Sequence, residues 1–375
     1  MKEKKAPRRA KSAKDAVPGQ PVTLKMLAER LGLSPASVSL VINDAPGAQS
    51  IPAKTQERIR AAALEMNYRP NLLARSLRSR RSQTVGILAP EVSEGYVATI
   101  LAGIDAHLVE QGYFFFVASH RNRPERLDEY FRMLMDRGVD GFLLINTPLQ
   151  SALPLPAVAI SGHRKLPGVT NVVIDHDQAA LLALSHLAEL GHKDVAFFKG
   201  HRKSADTEGR WNAIVKAARH LRLEVREALT LQLEGESLGG AFTPDQAYEE
   251  GYVFGRKLLE RGVRFESLFA FNDISAIGAM RAFREAHLDV PGAVSVVGFD
   301  DIQSAAFQNP GLTTVRQPLG EMGDIAARTL LRRLAGDEAP PEITVAPLLV
   351  IRESTGPAAG SDHKPARGKN TTVLA

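Results

Sequence analysis

Residues 23–43 run Thr23-Leu-Lys-Met-Leu-Ala-Glu-Arg-Leu-Gly-Leu-Ser-Pro-Ala-Ser-Val-Ser-Leu-Val-Ile-Asn43, and they predict two short helices joined by a glycine turn. Thr23 is placed to cap the first helix, because its hydroxyl can accept from the first free amides. Leu24, Leu27, Ala28 and Leu31 recur at spacings of three and four, one face of a helix. Gly32 ends it, as a residue free to take positive φ does. Ser34-Pro35 opens the second helix with a hydroxyl cap and a proline at the first helical position, where its missing N–H costs nothing. Val38, Val41 and Ile42 face inward. Ala36, Ser37, Leu40 and Asn43 face outward, with Pro35 at the tip. This is the shape of a helix-turn-helix, whose second helix presents its N-terminal half to base edges in the major groove. An ordinary helical hairpin has the same pattern, so charge must decide between them.

The charge is unevenly divided. Residues 1–83 hold 17 Lys+Arg against 6 Asp+Glu, a net of +11, while residues 84–375 hold 30 against 36, a net of −6; together they make the chain's +5. A basic headpiece on an acidic body is what phosphate binding requires. A solvated surface accounts for Lys2–Lys14. It does not account for Arg75, Arg78, Arg80 and Arg81 following the helix pair so closely. Asn67-Tyr-Arg-Pro-Asn-Leu-Leu-Ala-Arg-Ser-Leu77 adds a small helix whose Leu73, Ala74 and Leu77 share a face. Residues 71–78 are too few to be helical alone in water, so their folding can be coupled to binding DNA.

The remaining composition bounds the class. With no cysteine there are no disulfides or thiolate metal sites. No apolar run is long enough to span a bilayer, and the basic N-terminus lacks an apolar segment of the secretory kind. The expected location is the cytoplasm, at the nucleoid. Residues 1–20 predict a disordered basic arm and 357–375 a disordered tail. A third helix between 52 and 67 closes the headpiece of 21–70, and 71–83 is a hinge helix and linker.

From residue 84 short apolar runs alternate with amphipathic helices. Strands are expected at 84–89, 114–118, 141–146, 157–161, 171–175, 194–199, 227–233, 267–271 and 294–299. Helices are expected at 97–111, 125–137, 178–190, 207–222, 245–262 and 273–287. The pattern predicts an α/β body, 84–356, of two parallel sheets buried on both faces, with a lobe boundary near Gly191. Ligands in such sheets lie beyond strand C-terminal ends. Asp175-His176, Asn272-Asp273 and Asp300-Asp301 occupy such ends, and Arg210 lies near the start of the helix after the 194–199 strand. Carboxylates and amides can accept from hydroxyls, and a guanidinium donates through a rigid fork. Helix capping explains Asp273 and Asp301 equally well; Asp300 and Arg210 are harder to explain that way.

The ordered set of motifs resembles the lactose-repressor (LacI/GalR) family of bacterial transcription regulators from about Val22 to Ser354. It comprises Leu27-Ala28…Gly32-Leu33-Ser34…Val38-Ser39…Asn43, Asn67-Tyr68-Arg69-Pro70-Asn71…Ala74-Arg75-Ser76-Leu77, Glu189-Leu190-Gly191-His192, Phe271-Asn272-Asp273…Gly278-Ala279-Met280, Gly298-Phe299-Asp300-Asp301 and Leu312-Thr313-Thr314-Val315-Arg316-Gln317-Pro318. The resemblance implies a homodimer or dimer of dimers on a pseudo-palindromic operator in double-stranded DNA. It also implies a body like the periplasmic sugar-binding proteins, crossing between lobes near 190, 315 and 340. It makes 71–78 a hinge helix in the minor groove, with Leu77 as the wedge that kinks the duplex. Ala74 then lies at the groove floor, and Tyr68 and Asn71 near phosphates. The expected DNA-contacting set is Thr23, Ser34, Pro35, Ala36, Ser37, Ser39, Leu40, Asn43, Tyr68, Asn71, Ala74, Arg75, Leu77 and Arg78. The expected effector set is Arg210, Asn272 and Asp300 for hydroxyls, with Asp175 at a position used for nucleobases and sugars; Asp273 orients its neighbour.

Two departures matter. The family often carries an arginine where this chain has Leu40, and Pro35 and Ala36 lack long polar side chains, so direct readout is sparse and hinge-driven deformation carries more specificity. Glu91-Val-Ser-Glu-Gly-Tyr96 lacks the usual Asn-Pro-Phe-Phe type of segment. The expected function is a repressor of carbohydrate-utilisation genes that binds a small carbohydrate between its lobes, without cofactor or metal. The alternatives are control by a protein partner and a solute-binding module. No P-loop, metal cluster or nucleophile elbow favours an enzyme, and Trp211, Phe299 and Tyr96 are the aromatics available for stacking a ligand.

Overall fold

The computed structural model describes residues 22–69, 81–92, 95–121, 123–162, 164–202, 204–233 and 244–359. The chain divides into two compact units after Ser82. In the first, α1 (Leu24–Leu31) and α2 (Pro35–Ile42) are followed by a 3-10 turn (Pro46–Ser50) and α3 (Ala53–Glu65). The Thr23 hydroxyl accepts from Met26 N, and Gly32 takes the left-handed conformation (φ 66°) that ends α1. Ser34 caps α2, with Pro35 in its first turn. Leu27, Ala28, Val38, Val41, Ala48, Ile59, Ala62 and Ala63 form the core of this unit.

The second unit carries two six-stranded sheets. The first lobe holds β1 (Thr84–Ala89), α4 (Tyr96–Glu110), β2 (Phe114–Ser119), α5 (Pro124–Asp136), β3 (Gly141–Ile145), β4 (Ala157–Ile160) and β5 (Val169–Ile174). The second holds α6 (His176–Glu189), β6 (Val195–Lys199), α7 (Thr207–His220), β7 (Thr230–Gln232), α8 (Pro244–Glu260), β8 (Ser267–Phe269), α9 (Asp273–Glu285), β9 (Ser295–Asp300), α10 (Gln303–Ala306) and β10 (Thr313–Arg316). Then α11 (Leu319–Ala335) and β11 (Glu342–Val345) return to the first lobe, and β12 (Leu348–Val350) to the second. The sheet orders are β11-β5-β4-β3-β1-β2 and β12-β10-β9-β8-β6-β7. Pairing is parallel except between β10 and β12. Among the described residues no helix is long and apolar enough to cross a membrane.

The topology moves the first crossing. Instead of 190, it falls at Asp175, because β5 belongs to one sheet and α6 already packs on α7, β10 and β12 of the other lobe. Gly191 (φ 86°) turns α6 into β6 within the second lobe. The second crossing follows β10 as expected near 315. The third lies between β11 and β12, at 346–347, a few residues beyond 340.

Two further expectations change. The strands are not all covered on both faces: β2 is the edge strand of its sheet, and Phe114 is 63% exposed, with Phe116 and Val117 also open. Order also extends past 356. Gly356 N donates to Ser295 Oγ, Gly356 O accepts from His192 Nε2, and Ala358 N donates to Leu190 O. Residues 1–20 and 360–375 lie outside the described residues. The helix at α11 was not predicted. It meets α4 so closely that a Cβ on Gly323 would strike Ile100 O, and one on Gly103 would strike Gly320 O.

Candidate DNA-binding face and effector cleft

On the headpiece, Thr23, Ser34, Pro35 and Ala36 are exposed, and Ser37, Ser39, Leu40 and Asn43 are half-buried. Their polar groups are turned on one another. Ser34 Oγ and Ser37 Oγ are 2.9 Å apart, and Ser34 also accepts from Ser37 N. Asn43 Nδ2 donates to Ser39 O at 2.8 Å and lies 3.2 Å from Ser39 Oγ. Leu40, expected to point outward, rests on the 3-10 turn against Gly47. Tyr68 is half-buried against the headpiece core, and burial raises its phenol above the usual range. Asn71, Ala74, Arg75, Leu77 and Arg78 lie outside the described residues.

In the body, loops at strand C-terminal ends meet across the two lobes. Asn146, just past β3, accepts from Ser204 Oγ (3.2 Å) and Ala205 N (2.9 Å) of the second lobe. Gly95 of the first lobe abuts Ile302 of the second. Arg210 on α7 is 3% exposed. It donates to Phe271 O at 2.5 Å and to Asp206 Oδ2 at 3.3 Å, and its guanidinium lies 3.7 Å from the Phe299 ring centre and 4.4 Å from that of Phe271. Asp206 Oδ1 also faces His176 Nε2 at 3.2 Å. Asp300, at the end of β9, accepts from Gln317 Nε2 at 2.7 Å. Tyr96 Oη is 2.6 Å from Ser161 Oγ and senses the charges of Asp206, Asp300 and Arg210.

Burial sets the electrostatics. It pushes the Asp300 carboxyl up to about 7, with Asp206 adding to the rise and Arg210 and Gln317 opposing it. Burial likewise raises Asp273 well above the usual carboxylate range, helped by Asp300, and raises the Tyr96 phenol. Beneath the first-lobe wall His120 is buried beside Thr147 (3.0 Å), and burial pushes it down to about 4. Arg210 Nε and Gln317 Oε1 are buried without a hydrogen-bond partner among the described residues. Such atoms carry a desolvation cost that a bound polar group or water relieves.

Of the predicted effector set, Arg210 and Asp300 come together. Asn272 is spent largely on α9: its Oδ1 accepts from Ser275 N at 2.9 Å in a capping box, leaving its amide N–H groups. Asp175 caps α6 through Gln178 N at 2.9 Å, a role its place at the start of that helix dictates. Neither Asp273 nor Asp301 is a cap. Asp273 ties Thr314 Oγ1 and Ile302 N together, and Asp301 accepts from Arg316 and Arg352, each at 2.6 Å. Asp206, Gln317, Ser161 and Asn146 were missed, and Tyr96, expected only as a stacking ring, brings its hydroxyl to the cluster. Asn146 and Ser161 follow β3 and β4 directly, so the strand-end rule could have found them. Trp211 stands apart from this cluster, edge-on to Phe197 and under the Lys199 ammonium. A cavity of about 390 Å³ adjoins the cleft between Thr147, Ala205, Asn171 and Arg164. The larger cavity, about 660 Å³ around Tyr252, Arg281 and Pro310, shares no residue with the Arg210 cluster.

A helix-turn-helix unit and a two-lobed body with a polar interlobe cleft define a DNA-binding regulator with an effector-binding domain. Residues 23–71 match the family profile of bacterial regulatory proteins, lacI family, and residues 184–355 that of the periplasmic binding protein-like domain. The chain is 30% identical over 347 residues to the HTH-type transcriptional repressor PurR of Haemophilus influenzae, covering 88% of this chain and 98% of that protein. It is 29% identical over 345 residues to PurR of Pasteurella multocida, with the same coverage. Among solved structures it is similar to the lac repressor dimer bound to operator and the anti-inducer ONPF (26% identity, TM-score 0.77, 90% of this chain and 100% of that one). It is also similar to the transcriptional regulator CelR–cellobiose complex (29%, TM-score 0.63, 89% and 99%). The chain belongs to the lacI family of DNA-binding transcriptional repressors.

Proposed function

We propose that this repressor is controlled by a small hydroxyl-rich effector, a carbohydrate, held between the lobes by Arg210 and Asp300 with Asp206, Gln317 and Tyr96. The observation that carries this reading is the cluster itself: a buried guanidinium between two carboxylates, with Arg210 Nε and Gln317 Oε1 lacking partners. Carboxylates and an amide oxygen accept from hydroxyls, and the guanidinium donates back. The Phe299 and Phe271 rings are already engaged by Arg210, which leaves little flat surface for stacking a planar ligand. CelR, a 29% identical protein, binds cellobiose in its solved structure.

The protein works as a homodimer on a pseudo-palindromic operator, and the effector acts by preferring one lobe angle over another. The exposed apolar edge at β2 supports the dimer. A thermal-shift panel of mono- and disaccharides, with nucleobases and amino acids as comparison arms, tests the effector class. Each hit is then carried into a gel shift with operator DNA. A nucleobase that shifts both readouts while every sugar is silent overturns the carbohydrate assignment. Arg210→Ala is expected to abolish the ligand response while operator binding persists; an unchanged response removes Arg210 from the site.

A further inference from the structure

The recognition helix has little polar reach. Ser34 is paired with Ser37, Asn43 is bonded back to Ser39, and Leu40 is folded onto Gly47. The 3-10 turn Pro46–Ser50 therefore lies over the helix's outward side at Leu40. An ideal Cβ on Gly47 would sit 3.2 and 3.4 Å from the two Leu40 methyls. Ala45 N also donates to Leu40 O at 3.0 Å.

Although exposed, this turn is held at several points. Gln56 Nε2 of α3 donates to both Ala48 O and Ile51 O, each at 2.9 Å. Ser50 Oγ donates to Gly47 O at 2.7 Å, and Ala48 is buried in the headpiece core. Asp44, just before the turn, pairs with Arg60 at 2.9 Å. Gln49 projects from this anchored frame into solvent, and its amide has no partner among the described residues. A primary amide is the side chain that matches adenine N6 and N7 together in the major groove. A rigid mount reduces the ordering cost of making that pair.

We propose that the Pro46–Ser50 turn is a second reading element of the headpiece, and that Gln49 specifies an A·T pair in each operator half-site. This rests on the chain being a sequence-specific DNA-binding repressor. The test uses the full-length protein at fixed salt. Its preferred site is first selected from random duplexes, and each position is then varied in competition titrations. Wild type is expected to prefer A·T at one position per half-site, and Gln49→Ala to lose about 5- to 150-fold of discrimination there, the span of one bidentate amide–base pair. Preferences elsewhere and non-specific binding should stay unchanged. Gln56→Ala, which frees the turn, should blur the same position while circular dichroism shows the headpiece folded. An unaltered profile in Gln49→Ala, or equal weakening at every position, overturns the assignment. Failure of the wild type to select any sequence overturns the regulator reading instead.

Discussion

Asp300→Asn isolates the energetic cost of burying a carboxyl in the interlobe cleft. The carboxyl is 6% exposed, and burial carries it from 3.8 to about 7. The folded chain therefore keeps a proton that the unfolded chain has released between about pH 4 and 7. Stability falls as pH rises through that window and levels off above it, because the native state binds more protons there. Full ionisation at the folded site opposes folding by on the order of 4 kcal/mol, from the change of 3.8 to about 7. Asparagine keeps an oxygen for Gln317 Nε2 and removes the titration. Its loss of charge also relieves part of the rise at Asp273, which acts in the same direction.

The wild-type profile alone is not enough, because His120 works the other way. Held at about 4 by burial, it favours the neutral native state and loses stability as pH falls below its ordinary 6.5. The difference between variant and wild type cancels that contribution. Urea unfolding of full-length protein, followed by the fluorescence of the sole tryptophan, Trp211, which packs on Phe197 in the body, measures it from pH 4 to 9. Asp300→Asn should gain on wild type steadily to about pH 7 and then plateau, by on the order of 4 kcal/mol in total. A flat difference, or one that shrinks as pH rises, refutes the claim that Asp300 is ionised against its surroundings.

Two other perturbations test the packing around that site. Gly323→Ala should destabilise the body by about 1–3 kcal/mol through overpacking, because the added methyl meets Ile100 O; a gain of about 1 kcal/mol in urea unfolding, the ordinary effect of alanine in a helix, would mean that α4 and α11 do not approach so closely. Phe114→Asp on the exposed edge of β2 should convert a dimer to a monomer in sedimentation equilibrium with the fold intact, and an unshifted dimer would remove that edge from the interface.

Much of this organisation was legible because apolar runs and turn residues are local signals. Nine strands and six helices of the body could be placed from them, and Arg210 and Asp300 from their positions after strands. What escaped depended on partners distant in the chain. The face of α6, with Ala179, Ala180, Ala183, Leu184 and Leu187, looks the same whichever lobe it covers, so the crossing was placed fifteen residues late, at 190 rather than 175. β12 spans only Leu348–Val350, and its antiparallel pairing to β10 has no local mark. Asn272 and Ser275 make a capping box without the Glu or Gln that usually announces one. Leu40 looked outward by helical spacing alone, and only the fold of the Pro46–Ser50 turn covers it.

Under the proposed reading, the three carboxylates at the end of the second sheet give ligand binding a route to the lobe angle. Asp273 holds Thr314, Asp300 holds Gln317, and Asp301 holds Arg316 and Arg352. These four side chains lie on β10, between β10 and α11, or just past β12; Ile302, which Asp273 also holds, does not. Asp301 is met by two guanidinia within the second lobe, and Asp273, which burial holds toward its protonated form, is met there by Thr314 and Ile302. Asp300 differs, because its partner Gln317 retains a buried, unpaired oxygen and its guanidinium neighbour is shared with Asp206. A hydroxyl donating to Asp300 would lower its carboxyl toward the ordinary range and compete with Gln317 for the same oxygens. Gln317 sits between β10 and α11, where the chain passes back to the first lobe. A ligand that alters this bond acts at the crossing itself. Two orientations of the lobes that differ in the Asp300–Gln317 bond would then bind the ligand with different affinity, which is the condition for a ligand to shift an equilibrium at all.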